Sequence, residues 1–86
     1  MWIVELSYGA DPGRLDARPA HRQLLTGLHQ RGVVRMAGPF ADDSGGLIVV
    51  DLPDQKAVEE FIAADPYYAL PGVTVERIRE WATFLD

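Results

Sequence analysis

The hydrophobic pattern of this chain changes period several times, and the order of those changes leaves few folds open. Over Trp2 to Tyr8 the period is two: Trp2, Val4, Leu6 and Tyr8 share one side while Glu5 and Ser7 take the other, as in a half-buried strand. Gly9, Pro12 and Gly13 break the run, and a loop carrying Asp11, Arg14 and Asp16 follows. From Ala17 to Arg31 the period becomes helical, with Leu24, Leu25 and Leu28 on one face, Pro19 expected in the first turn and Gly32 as the stop. Val33 to Phe40 and Leu47 to Leu52 are apolar runs joined by Ala41-Asp42-Asp43-Ser44-Gly45-Gly46, which predicts a hairpin. Asp54 is the expected N-cap of a second helix whose apolar face is Ala57, Val58, Phe61 and Ile62. Asp65-Pro66 ends that helix, because the residue before proline avoids helical backbone. After a loop from Tyr67 to Gly72, Val73 to Phe84 reads as a last strand, with Val73, Val75 and Trp81 on one side and Ile78, Ala82 and Phe84 on the other.

The resulting order, β-α-β-β-α-β, predicts an α+β ferredoxin-like domain: an antiparallel sheet with two helices on one face. Eighty-six residues close one core and not two, so a single domain over residues 1–86 is expected. Its core will be thin, and pairing into a homodimer would add burial.

Thirteen acidic against eight basic residues give a net charge of -5, a field that opposes phosphate backbones and anionic lipid. Nucleic acid is therefore not an expected partner, and stacking on Trp2 or Trp81 is set aside in favour of core or interface packing. The absence of cysteine removes disulfides, thiolate nucleophiles and Cys-based zinc sites. No basic segment followed by a long apolar run opens the chain, and no stretch reaches the roughly 18 apolar residues of a membrane span. The expectation is a cytoplasmic protein without membrane contact.

Following the chain through this topology brings the end of the first strand, the start of the first helix, the hairpin turn and the end of the second helix to one edge of the sheet. Tyr8, Arg14, Arg18, His21, Gly38, Pro39, Ser44, Asp65 and Tyr67 collect there. His21 is in register with Leu24, Leu25 and Leu28, and Asp65 with Val58, Phe61 and Ile62, so both polar side chains follow buried faces and each needs a partner. The helix dipole at a C-terminus disfavours the Asp65 charge, which gives it a further reason to pair with His21. Such a pair can perform general acid/base catalysis, or it can simply tie two helix ends together. Arg18 reads as a holder of an anionic group or as a surface ion pair. Pro39, Ser44 and Tyr67 are possible substrate contacts, each with an alternative as a strand end, a turn residue or a packing ring. A His21/His29 metal site is not expected, since residues eight apart lie two turns apart along a helix.

Arg18-Pro19-Ala20-His21, Gly32 followed by Ala37-Gly38-Pro39, and Ala63-Ala64-Asp65-Pro66-Tyr67 together resemble the signature of the YciI-like family over nearly the whole chain. The resemblance implies a ferredoxin-like domain that forms a dimeric α+β barrel, with a proposed active site at the positions of His21 and Asp65. Some relatives are lyases acting on chlorinated hydroxyquinones. The short Ala41 to Gly46 turn departs from members that carry a longer loop there. The expected function is thus a small cofactor-independent lyase or isomerase acting on an aromatic or enolisable small molecule. The alternatives are a non-catalytic small-molecule-binding module and a cofactor-free monooxygenase of the same barrel type.

Overall fold

The computed structural model describes Met1–Asp86. Its elements are β1 (Trp2–Tyr8), α1 (Gly13–Gln30), β2 (Val34–Pro39), β3 (Gly45–Val50), α2 (Gln55–Ala63), a 3-10 turn (Pro66–Ala69) and β4 (Val73–Glu80). The strands form one sheet in the order β2-β3-β1-β4, with every neighbouring pair antiparallel. This is the ferredoxin-like α+β arrangement expected from the order of hydrophobic periods.

Pairing in register sets which side chains meet the helices. Val4 lies opposite Ile48 and Ile78, and Trp2 opposite Val50, so these residues share the helix-covered face. Leu25 of α1 and Val58 and Phe61 of α2 close over them, joined by Tyr67, Tyr68 and Val73, to make one cluster of buried apolar side chains. Only 17 of 86 residues are buried, as the small size of the chain requires. No helix is long and apolar enough to cross a membrane.

Four expectations need correction. The first helix begins at Gly13, not Ala17, so Arg14 is helical and Pro19 lies inside the helix rather than in its first turn. The reason is tertiary: Arg14 is buried against the sheet edge and bound to the hairpin turn, which fixes a helical turn that propensity alone left as loop. Leu24 turns outward and is 37% exposed, while Leu25 and Leu28 face the core. The last strand stops at Glu80 rather than Phe84. Within it, a register shift between Glu5 and Leu6 of β1 pairs Leu6 with Val75 and Val4 with Ile78, so Val75 and Ile78 share the inner face instead of opposing each other.

Other local signals are realised as read. The Asp54 carboxylate accepts from the Ala57 N–H at 2.9 Å and caps α2. The hairpin turn holds Asp43 in left-handed backbone at φ 58°, and the Asp42 carboxylate accepts from the Ser44 N–H.

Candidate active site

α1 presents His21 one turn before Leu25, so the helical register that buries the leucine buries the imidazole as well. His21 is 8% exposed and Asp65 5%. Nδ1 of His21 and Oδ2 of Asp65 are 2.6 Å apart, across 44 positions of sequence. The other carboxylate oxygen, Oδ1, accepts from the Tyr67 N–H at 3.0 Å. Both oxygens of the buried carboxylate are thereby partnered, which satisfies the requirement that buried charge be hydrogen-bonded.

The backbone at Asp65 differs from the helix C-terminus expected from the sequence. α2 has already ended at Ala63, and Asp65 is extended at φ -119° and ψ 111°, capping the 3-10 turn that follows. The proline that stops α2 therefore also starts the next turn, and the carboxylate meets N–H donors in place of unpaired carbonyls.

Two aromatic rings hold the imidazole. Tyr67 stacks on His21 with centroids 3.9 Å apart and planes 9° from parallel, and Tyr68 meets it edge-on at 5.4 Å. The Tyr68 hydroxyl is buried without a partner, and burial, followed by the nearby Asp65 charge, pushes it above the ordinary tyrosine range. Nε2 of His21 makes no hydrogen bond within the protein and is not sealed off, so it is the ring nitrogen left to the adjoining space.

That space is a cleft of about 640 Å³ between α1 and the β2–β3 hairpin. His21, Arg18, Tyr8, Tyr67 and Pro39 line it, over an apolar floor of Leu6, Leu25 and Ile48. Gly46 keeps it open, since a Cβ there would lie 3.0 Å from the Tyr8 hydroxyl and 3.0 Å from the Gly38 carbonyl oxygen. Burial, then hydrogen bonding with Tyr67, pushes the Tyr8 hydroxyl up to about 12, so it remains a protonated donor at the cleft.

Of the residues expected from sequence, His21, Arg18, Pro39 and Tyr67 line the cleft and Asp65 stands behind His21. Ser44 does not line it. Its N–H is turned to Asp42 and its carbonyl accepts from the Tyr8 N–H at 2.8 Å, so it shapes the turn through its backbone. His29 is turned to the Val34 carbonyl at 2.8 Å through its Nδ1.

Sequence reading missed Asp43 and gave Arg14 no partner. Asp43 bridges two arginines: its Oδ2 is 3.1 Å from Nη2 of Arg14 and its Oδ1 3.2 Å from Nη2 of Arg18. The Arg14 guanidinium also lies 4.0 Å over the Tyr8 ring. The signal was present in the Asp42-Asp43 pair, but an aspartate in a glycine-rich turn is explained by turn chemistry alone.

The Arg14 hydrogen bond holds the Asp43 carboxyl below its ordinary value of 3.8. Its contribution to stability is therefore full above that value and disappears as pH falls through the folded pKa. Asp43→Asn, a residue that tolerates left-handed backbone, should be modestly less stable than the parent at neutral pH, with the difference shrinking as pH falls below 3.8. Urea unfolding of parent and variant over a pH series from neutral downward measures the difference.

The YCII-related domain model matches residues 1–82 of this chain. The chain belongs to the YCII-related family. A search of curated proteins found no match. In this YCII-related chain the stretches Arg18 to His21 and Ala63 to Tyr67, which carried the resemblance in sequence, are the two segments that meet through the hydrogen bond between His21 and Asp65.

Proposed function

We propose that this YCII-related chain is a cofactor-independent acid/base enzyme of lyase or isomerase type, in which His21 transfers a proton at a small aromatic or enolisable substrate. The observation that carries this reading is the buried 2.6 Å contact between Nδ1 of His21 and Asp65, which leaves Nε2 toward a cleft of small-molecule size. Asp65 accepts a hydrogen bond from Nδ1–H, so the neutral imidazole has its lone pair on Nε2, where it can remove a proton from a substrate carbon or hydroxyl. The imidazolium so formed is stabilised by the same carboxylate and can return the proton to a different atom, which completes an isomerisation, or assist a leaving group, which completes an elimination. Arg18 holds an anionic substrate group, and the protonated Tyr8 hydroxyl donates to a developing enolate or phenolate oxygen.

In this reading the chain is a single domain and works as a cytoplasmic homodimer. The sheet face opposite the helices supports the second point: Met36, Trp81 and Leu85 are exposed there around Val49, and Phe84 is 92% exposed just beyond.

The test is proton chemistry in deuterated water. A panel of enolisable acids, lactones and chlorinated hydroxyquinones is followed by NMR for deuterium wash-in and chloride release, with His21→Gln as the control. Turnover by the parent that the variant lacks is the expected result. No exchange or elimination above the His21→Gln background, across the whole panel, would sink the proposal.

A further inference from the structure

We propose that the cleft takes a small dianion with an apolar middle, one anionic group held at Arg18 and the second at Arg22. The distribution of charge carries this inference. The chain has thirteen acidic residues and eight basic ones. Yet no Asp or Glu lines the cleft, whereas Arg18, Arg22 and Arg35 do. A chain with surplus negative charge thus places three arginines and no carboxylate on one concavity, Arg18 and Arg35 being paired with Asp43 and Asp86 outside its lining.

Arg18 and Arg22 are four residues apart on α1, so they stand on one face about 6 Å apart along the axis. Arg18 shares the Asp43 carboxylate with Arg14, at 3.2 Å and 3.1 Å respectively. That contact displays the chemistry of the first subsite: a carboxylate bridging two guanidinium groups, which an incoming anion would share or displace. Arg22 has no carboxylate within ion-pair distance, although the chain carries a net charge of -5. Its counter-ion is left to the ligand. Across the cleft, Arg35 adds positive charge from the strand side, only loosely engaged with Asp86 at 3.8 Å. The same cleft is also lined by Leu6, Leu25 and Ile48, apolar surface that suits carbon and not a third charge.

The inference deepens the acid/base reading, because the Arg18 end of such a ligand would lie beside His21, but its test needs no turnover. Isophthalate, benzoate and benzamide present two, one and no anionic groups on the same ring. Calorimetric titration at low salt should find isophthalate binding roughly tenfold tighter than benzoate, the scale of one charge-assisted hydrogen bond, and benzamide weakest. Arg22→Gln, a change at an exposed position, should erase the isophthalate advantage and leave benzoate binding unchanged within about twofold. Added salt should weaken isophthalate most. The inference is overturned if isophthalate binds no tighter than benzoate, if its advantage survives Arg22→Gln, or if none of the three binds. An Arg22-dependent preference in a chain that catalyses no proton exchange would refute the acid/base reading alone. Exchange without that preference would refute this one alone.

Discussion

Asp65→Asn should lower turnover roughly a thousandfold or more while leaving the chain folded. The carboxylate performs two tasks with separate oxygens: Oδ1 accepts from the Tyr67 N–H at 3.0 Å and Oδ2 faces Nδ1 of His21 at 2.6 Å. Asparagine can keep the first task through its amide oxygen. Its NH₂ group then faces Nδ1, which must become the acceptor, and the imidazole proton moves to Nε2. The nitrogen toward the cleft loses its lone pair and with it the ability to act as a base. The stability loss should stay within about 1–3 kcal/mol, the range for perturbing one buried hydrogen bond. Two measurements check this: kcat/KM on a substrate found in the exchange panel, and the nitrogen-15 shifts of the His21 ring, which report the tautomer whether or not a substrate is known. Turnover within a few-fold of the parent, or an unaltered tautomer, would remove Asp65 from the proposed mechanism.

Gly45→Ala should be the most damaging small change to the fold itself. Gly45 lies in β3 directly opposite Ser7 of β1, and an added Cβ would fall inside contact distance of the Leu6 carbonyl oxygen and within 3.2 Å of the Ser7 Cα. The obstructing atoms are backbone of the central strand, so no rotamer change makes room. β1 and β3 would have to separate, and they carry Val4, Leu6 and Ile48 of the core. A loss of about 2–3 kcal/mol is expected, as for other overpacked sites. In a chain of this size that lowers Tm by roughly 10–20 °C. Gly27→Ala supplies the contrast, because it sits in α1 with nothing within 4 Å of the added atom. There the same methyl group should stabilise by about 0.5–1 kcal/mol through helix propensity. Thermal unfolding of the two variants side by side would expose an error in either direction.

The resemblance in sequence and the geometry in space depend on each other unevenly. Arg18 to His21 and Ala63 to Asp65 are short strings that hydrophobic register assigns to buried helix faces, and Asp65-Pro66 marks a break that any proline would impose. Those local rules, combined with the right-handed crossovers of a β-α-β-β-α-β order, were enough to bring residues 44 apart to one edge. They were not enough to say what Asp65 caps, because whether a residue ends one helix or begins the next turn depends on where Tyr67 and Tyr68 find burial.

Arg14 and Asp43 illustrate the same limit from the other side. In sequence, Arg14 follows Pro12-Gly13 and reads as loop, and Asp43 sits in a turn that explains itself. Only their approach across 29 positions turns one into a buried helical cation, 8% exposed, and the other into its bridge to Arg18.

What the sequence alone determined was thus the order of elements, the inner faces of β1 and α2, and the meeting of His21 with Asp65. All of these follow from local periodicity and chain direction, which act over a few residues at a time. The tertiary structure decided the start of α1, the bulge that turns Ile78 inward, the Asp43 bridge and the cationic lining of the cleft. These depend on which distant groups compete for the same burial and the same hydrogen bonds, and that competition is resolved only when the sheet is assembled.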